Sequence, residues 1–246
     1  MADSGNTRLQ PVSTTWRLSA ARLQLWPTEP PSVQPYHHGW VHRGNERMLR
    51  QLIQEHQPKV IVELGSWLGL CTNFLLSASS GAAVFAIDKW DATFLLQEQF
   101  EQYARDREAL GLLRGADGEP PLPLHDTFLV NMWPWRTRLF PLRMGTAEGL
   151  KLIASIGAPV GLIYVDADHT HDGVLADLRE AAHSFPSALV CGDDWQWPGV
   201  RSALEQHVVD NGGRLKIMAH PAENWWWLAT QHQQDPGSNE MLSRDA

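Results

Sequence analysis

The stretch Val160-Gly-Leu-Ile-Tyr-Val165, closing on Asp166-Ala167-Asp168, decides the fold when it is read with Ser187-Ala-Leu-Val-Cys191 and the Gly192-Asp193-Asp194 that follows it. Each is a short apolar run ending in a pair of carboxylates, and the interval between them holds one amphipathic helix. A strand, helix, strand unit of this length crosses over right-handed and sets the two strands parallel, usually as neighbours. Both acid pairs then face one crevice beyond the carboxyl ends of the strands, which is where open parallel sheets bind ligands. Capping of the following helices is the plainer role for such acids, but a cap needs only one oxygen per helix, so four acids read as a site.

Working outward, residues 1–42 carry Pro11, Pro27, Pro30, Pro31 and Pro35 with little periodicity, which predicts an irregular arm or lid anchored by Trp16, Trp26 and Trp40. Met48, Leu49, Leu52 and Ile53 have helical spacing, and Pro58 marks the stop. Strands are expected at 60–62, 82–87 and 137–142, and helices at 69–78 and 147–156. A helix over 200–209, a turn at Gly212-Gly213 and a hairpin of 215–218 with 225–230 complete the pattern. The fold class is therefore α/β, a doubly wound, Rossmann-like, mostly parallel seven-stranded sheet with a reversed C-terminal strand. The main domain spans 43–232. It carries an insertion at about 91–131, helical through Phe94, Leu95, Gln99 and Tyr103 and then broken by Gly115, Gly118, Pro120, Pro121 and Pro123. A polar tail, 233–246, is expected to fray.

Composition narrows the partners. The chain has 246 residues and a formal net charge of −8, which argues against nucleic acid and anionic membrane surfaces, both bound through clustered Lys and Arg. No leader-like apolar core and no membrane-length run is present, so the expected location is the cytoplasm. Cys71 and Cys191 lie in apolar elements and read as buried thiols rather than a disulfide framework. Twelve tryptophans stand out; they serve core and interface packing or line a pocket for a flat, ring-shaped ligand.

The first strand-to-helix turn, Glu63-Leu-Gly65-Ser66-Trp67-Leu-Gly69, bears on the cofactor. A dinucleotide site wants a glycine where Trp67 stands, so that a pyrophosphate can approach the backbone. Asp88, ending the second strand, is placed to accept the hydroxyls of a ribose. The expected cofactor is a nucleoside without a pyrophosphate.

These residues resemble the class I S-adenosylmethionine-dependent methyltransferases. Glu63-Leu-Gly65-Ser66-x-x-Gly69 is similar to their first motif, Asp88 to their ribose-binding acid, and the closing hairpin to their reversed last strand. Asp166-Ala-Asp168-His169-Thr-His171-Asp172, with Gly192-Asp193-Asp194, more narrowly resembles the metal-dependent small-molecule O-methyltransferases of bacterial natural-product pathways. The resemblance covers roughly 58–230 and leaves out the arm and most of 100–135. It implies a cofactor set of Glu63, Gly65, Ser66, Gly69, Asp88, Thr146 and Asp166, a divalent metal held by Asp166, Asp193 and Asp194, and Asp168 or His169 as the base.

Such chemistry is coherent. Methyl transfer from a sulfonium is an in-line displacement, and a hard cation such as Mg²⁺ on carboxylates lowers the pKa of an acceptor hydroxyl and aims it. The expected partner is a small molecule bearing a hydroxyl, of sugar, phenol or polyketide type, with assembly into a homo-oligomer left open. Two other classes fit parts of the sequence: a metal-dependent hydrolase, which would not need Glu63, Gly65 and Asp88, and a non-catalytic methyltransferase-like subunit using Trp225-Trp-Trp227 as an interface patch. For that patch a buried strand covering the sheet edge is the favoured reading.

Overall fold

The computed structural model describes residues 15–115 and 120–230. In chain order the elements are α1 Thr15–Ala21, α2 Arg43–His56, β1 Val60–Leu64, α3 Leu70–Ala78 and β2 Ala83–Asp88. The insertion follows as α4 Ala92–Glu98, α5 Phe100–Tyr103, α6 Arg107–Arg114 and α7 Leu124–Met132, with a 3₁₀ turn at Trp133–Trp135. Then come β3 Leu139–Arg143, α8 Thr146–Ser155, β4 Val160–Val165, α9 His171–Ser184, β5 Leu189–Gly192, α10 Pro198–Asp210, β6 Leu215–His220 and β7 Trp225–Thr230. The seven strands form one sheet in the order β3-β2-β1-β4-β5-β7-β6. β7 runs antiparallel between β5 and β6, and the other pairings within β1 to β5 are parallel.

Alternation along the strands makes two cores, one on each face of the sheet. Ile61, Val84, Leu162 and Tyr164 pack under α2 to α7, while Val62, Phe85, Ile163, Val190 and Trp226 pack under α1 and α8 to α10. This is the double winding that the alternating elements predict. The order of pairing reverses at β1 and β4, where the crossovers leave toward opposite edges, and the crevice opens there.

Several expectations need correction. The arm is not irregular throughout: α1 buries Trp16 against Phe85 and Phe140, at ring separations of 6.0 and 5.9 Å. The five prolines all lie outside Thr15–Ala21, so local composition did not forbid this helix. Trp26 does anchor the following segment, donating from Nε1 to the Leu139 carbonyl at 2.8 Å, and Trp40, although 41% exposed, donates from Nε1 to Asp106 at 3.2 Å. The insertion holds two unexpected helices, α6 and α7. Asp106 caps α6 through Oδ1 on the Ala109 N–H, and α7 starts directly after Pro123, a proline that ends the broken stretch rather than prolonging it. Trp225 and Trp226 are buried in β7 and Trp227 is half-buried, yet the strand does not cover an edge, because β6 is the edge strand. Cys71 and Cys191 are buried free thiols. The tail from 231 and Gly118 lie outside the described residues.

Candidate active site

Short connections between strands and helices hold the site at the carboxyl ends of β1, β2, β4 and β5. Gly65 turns the chain off β1 at φ +84, and its amide donates to the Ile87 carbonyl at 2.9 Å. A Cβ here would overlap the Asp166 carbonyl oxygen and lie 2.7 Å from its carbon, so glycine is required by both conformation and space. Trp67 takes a left-handed conformation at φ 46, and Gly69 caps α3 at φ +91 with Met132 filling the space a Cβ would need. The turn thus passes directly beneath Asp166.

Asp88 does not stand free to meet a ribose. Its Oδ2 accepts from the Ser66 and Trp67 amides at 3.1 and 2.9 Å, and its Oδ1 from the Trp90 amide at 2.8 Å. Burial pushes its pKa up while these donors pull it back down. A carboxylate has about four lone-pair sites, so roughly one acceptor position is left for a ligand. Glu63 lies off the cavity wall altogether. Strand alternation turns it onto the α3 side, where the Thr72 hydroxyl donates to it and burial raises its pKa to about 7.

A cavity of about 590 Å³ joins these pieces, a volume in the usual range for small-molecule sites. Gly65, Ser66, Asp88, Thr146, Asp166, Asp168, His169, Asp193 and Asp194, all singled out in the sequence, lie on its wall; Glu63 and Gly69 do not. Thr146 begins α8, and its hydroxyl donates at 2.5 Å to Asp177, a buried acid whose pKa burial raises to about 7.

Within the acid cluster, one ligand atom from each of Asp166, His169 and Asp194 lies within 4.8 Å of the other two. Asp193 lies deeper on the same wall: it is 5% exposed, its Oδ1 accepts the Asp194 amide at 2.7 Å, and its own carbonyl accepts from Trp226 Nε1 at 2.7 Å. Asp194 is held at φ 62, with Oδ1 accepting from Asn224 at 3.1 Å and Oδ2 facing His169 Nε2. Such a backbone is a local strain at a site the surroundings hold in place. Burial raises the Asp166 pKa well above the carboxylate range, and repulsion from Asp193, Asp194 and Glu63 adds to it; burial and Asp194 raise Asp193 likewise. Like charges crowded in a low-dielectric corner are relieved by a bound cation, so the donor set fits a divalent metal. Asp168 also serves its own loop, taking the Thr170 amide on Oδ1 at 2.7 Å and lying where a Cβ on Gly173 would be. None of the four acids caps a helix: Thr170 is the N-cap of α9, accepting the Gly173 amide on its hydroxyl, and Trp197 is that of α10.

A family model described as a methyltransferase domain matches residues 62–195. The chain belongs to this methyltransferase family. It is an enzyme of the class I, S-adenosylmethionine-dependent type, and its sheet order with a reversed last strand agrees. Two solved O-methyltransferases share the fold. NovP superposes with a TM-score of 0.52 at 15% identity, over 76% of this chain and 80% of NovP. TomG from Streptomyces achromogenes, a protein of tomaymycin synthesis solved with S-adenosylmethionine, gives 0.51 at 15% identity, over 78% and 81%. No curated protein matches the chain.

The rest of the methyltransferase cavity wall comes from residues that motif reading left aside. Trp40, His42 and Gly39 from the arm, Phe94, Gln99 and Tyr103 from the insertion, and Trp197 after β5 all line it. Trp16, expected to anchor the arm or lid, does not. Asn131 ties the arm down: its Oδ1 accepts the Tyr36 amide at 3.2 Å, and its Nδ2 donates to the Tyr36 and Leu68 carbonyls at 2.8 and 2.9 Å. Tyr36 in turn donates its hydroxyl to Glu108 of α6 at 2.5 Å. No periodicity or motif signals these contacts, because they join residues 63 to 95 positions apart.

Proposed function

We propose that the protein transfers a methyl group from S-adenosylmethionine to a hydroxyl oxygen of a small molecule, with a divalent cation assisting. The observation that carries this reading is that one cavity runs from the Gly65 turn, Asp88 and Thr146 to the acid corner of Asp166, His169 and Asp194. A donor subsite and a place to activate a hydroxyl therefore share one wall. NovP and TomG, both O-methyltransferases, agree with this choice of acceptor atom.

In this reading the donor lies over the first turn, with its ribose on the free acceptor position of Asp88 and its adenosine edge toward Thr146. Asp166, Asp194 and His169 would hold Mg²⁺ or Mn²⁺, which supplies a lower hydroxyl pKa and a fixed direction of attack. Asp193, named with the metal ligands from sequence, supports the turn that presents Asp194. The acceptor oxygen attacks the methyl carbon, the carbon–sulfur bond breaks with its electron pair going to sulfur, and S-adenosylhomocysteine leaves. With His169 facing Asp194, Asp168 is left to take the hydroxyl proton. Exclusion of water by the arm and the insertion favours the displacement.

Calorimetry with S-adenosylmethionine, then mass spectrometry of methylated products with and without a chelator, tests the reading. Absence of donor binding would overturn it. Donor binding with turnover that ignores chelation would remove only the metal.

A further inference from the structure

Two oriented indoles stand on the cavity wall with a large share of their surface exposed. Among the described residues the exposed bulky apolar side chains include Trp40 at 41%, Leu70 at 43% and Trp197 at 37%, and all three line this cavity. Single exposed apolar residues are ordinary on any surface, but three on one concave wall beside convergent acids form a binding feature.

Both indoles are held rather than loose. Trp40 leans on a prebuilt stack: Trp67 and Tyr103 lie 5.7 Å apart and nearly parallel, at 18°, and Trp40 sits 5.7 Å from the first and 6.2 Å from the second. Its Nε1 donates to Asp106 at 3.2 Å, which fixes the ring in its plane. Trp197 lies 4.9 Å from the His169 ring, and its amide donates to the Asp194 carbonyl at 2.9 Å. It is thereby tied to two members of the acid corner where the acceptor hydroxyl must arrive. A fixed aromatic face loses little entropy on receiving a flat ligand.

The field of the cavity restricts what that ligand carries. Asp106 and Glu148 join the five acids at the strand ends, so the described wall holds seven acidic side chains against one lysine, Lys89, and two histidines, His42 and His169. A sulfonium donor with its ammonium and carboxylate is a net cation and suits this field. An acceptor with a phosphate, a carboxylate or a coenzyme A handle is repelled even after one divalent ion has bound.

We propose that the acceptor is an uncharged, ring-bearing molecule whose flat face rests on Trp40 and Trp197, and that these two residues set acceptor specificity. The inference rests on the methyl-transfer reading above. An aromatic ring and a sugar ring both present such a face, and the test separates them.

The full chain, saturated with S-adenosylhomocysteine and Mg²⁺, is titrated by calorimetry with matched neutral and anionic rings. Protocatechualdehyde is compared with protocatechuate, and methyl glucoside with methyl glucuronide. At least one neutral ring is expected to bind at least about tenfold more tightly than its anion, and the tighter neutral probe identifies the ring type. Trp40→Ala and Trp197→Ala should each weaken that binding by roughly tenfold, with S-adenosylhomocysteine affinity within about twofold of wild type, and Trp→Phe at either position should restore most of it. Their exposure makes both substitutions compatible with folding, and the retained S-adenosylhomocysteine affinity verifies it. Equal binding of neutral and anionic rings, unchanged affinity in both Ala variants, or no ring binding to a protein that binds S-adenosylhomocysteine would overturn this inference alone. Failure to bind S-adenosylhomocysteine would overturn the methyl-transfer reading with it.

Discussion

Replacing Gly65 by alanine separates backbone strain from steric conflict, because Gly81 supplies a matched control. Both glycines are left-handed, at φ +84 and +82, but a Cβ on Gly81 meets nothing within 4 Å while one on Gly65 runs into the backbone of Asp166 and Ala167, the latter's Cα at 2.8 Å. Left-handed strain for an L-residue costs about 1–2 kcal/mol, and this is all that Gly81→Ala should show. Gly65→Ala adds overpacking against backbone, a further ~1–3 kcal/mol, since neither β1 nor β4 can move without its neighbours. At roughly 2–4 °C per kcal/mol for a chain of this size, the Gly65 variant should melt roughly 2–12 °C below the Gly81 variant. Donor affinity should fall only in Gly65→Ala, because the displaced segment carries Asp166. Thermal unfolding read by circular dichroism, with calorimetry for S-adenosylmethionine, measures both. Equal melting temperatures for the two variants would refute the claim that the first turn is packed against Asp166.

Asp88→Ala should weaken S-adenosylmethionine by about 1.5–3 kcal/mol in calorimetry and, contrary to a purely ligand-facing role, also lower the melting temperature, because three backbone amides lose their acceptor; an unchanged dissociation constant would sink the assignment. Chelation, or Asp194→Asn, should abolish turnover, and full activity after exhaustive chelation would return the acids to a structural role. Trp16→Ala should cost about 3–5 kcal/mol in denaturant unfolding with donor affinity unchanged, so a truncation of 1–35 tests stability rather than closure of the arm. Glu63 has a folded pKa of about 7 against an ordinary 4.5, so the native state binds the proton more tightly than the unfolded chain: stability is greatest below about pH 4.5 and declines as pH rises to about 7. Glu63→Gln should remove a decline on the order of 3 kcal/mol from the pH profile of unfolding, and an unaltered profile would contradict the burial of that acid.

The sequence alone determined the layering, the seven strands and the position of both acid pairs, for a local reason. Buried parallel strands such as Val160–Val165 are continuous apolar runs, helices such as His171–Ser184 carry an amphipathic period, and the crossover rule then forces the strand ends to one side. The first-turn motif was equally legible, since Gly65 must be glycine wherever that turn passes under β4. Tertiary structure decided what each acid faces. Strand alternation and the α3 contact turned Glu63 away from the cavity, three amides claimed Asp88, and the left-handed backbone at Asp194 brought it to His169 while Asp193 stayed deeper, 5% exposed. It also decided the acceptor wall, because Trp40, Tyr103 and Trp197 lie far apart in the chain and share one cavity only when the arm is pinned by Asn131 and the insertion folds as α4 to α7. Side-chain direction at a strand end and contacts between distant loops depend on packing that no local period encodes.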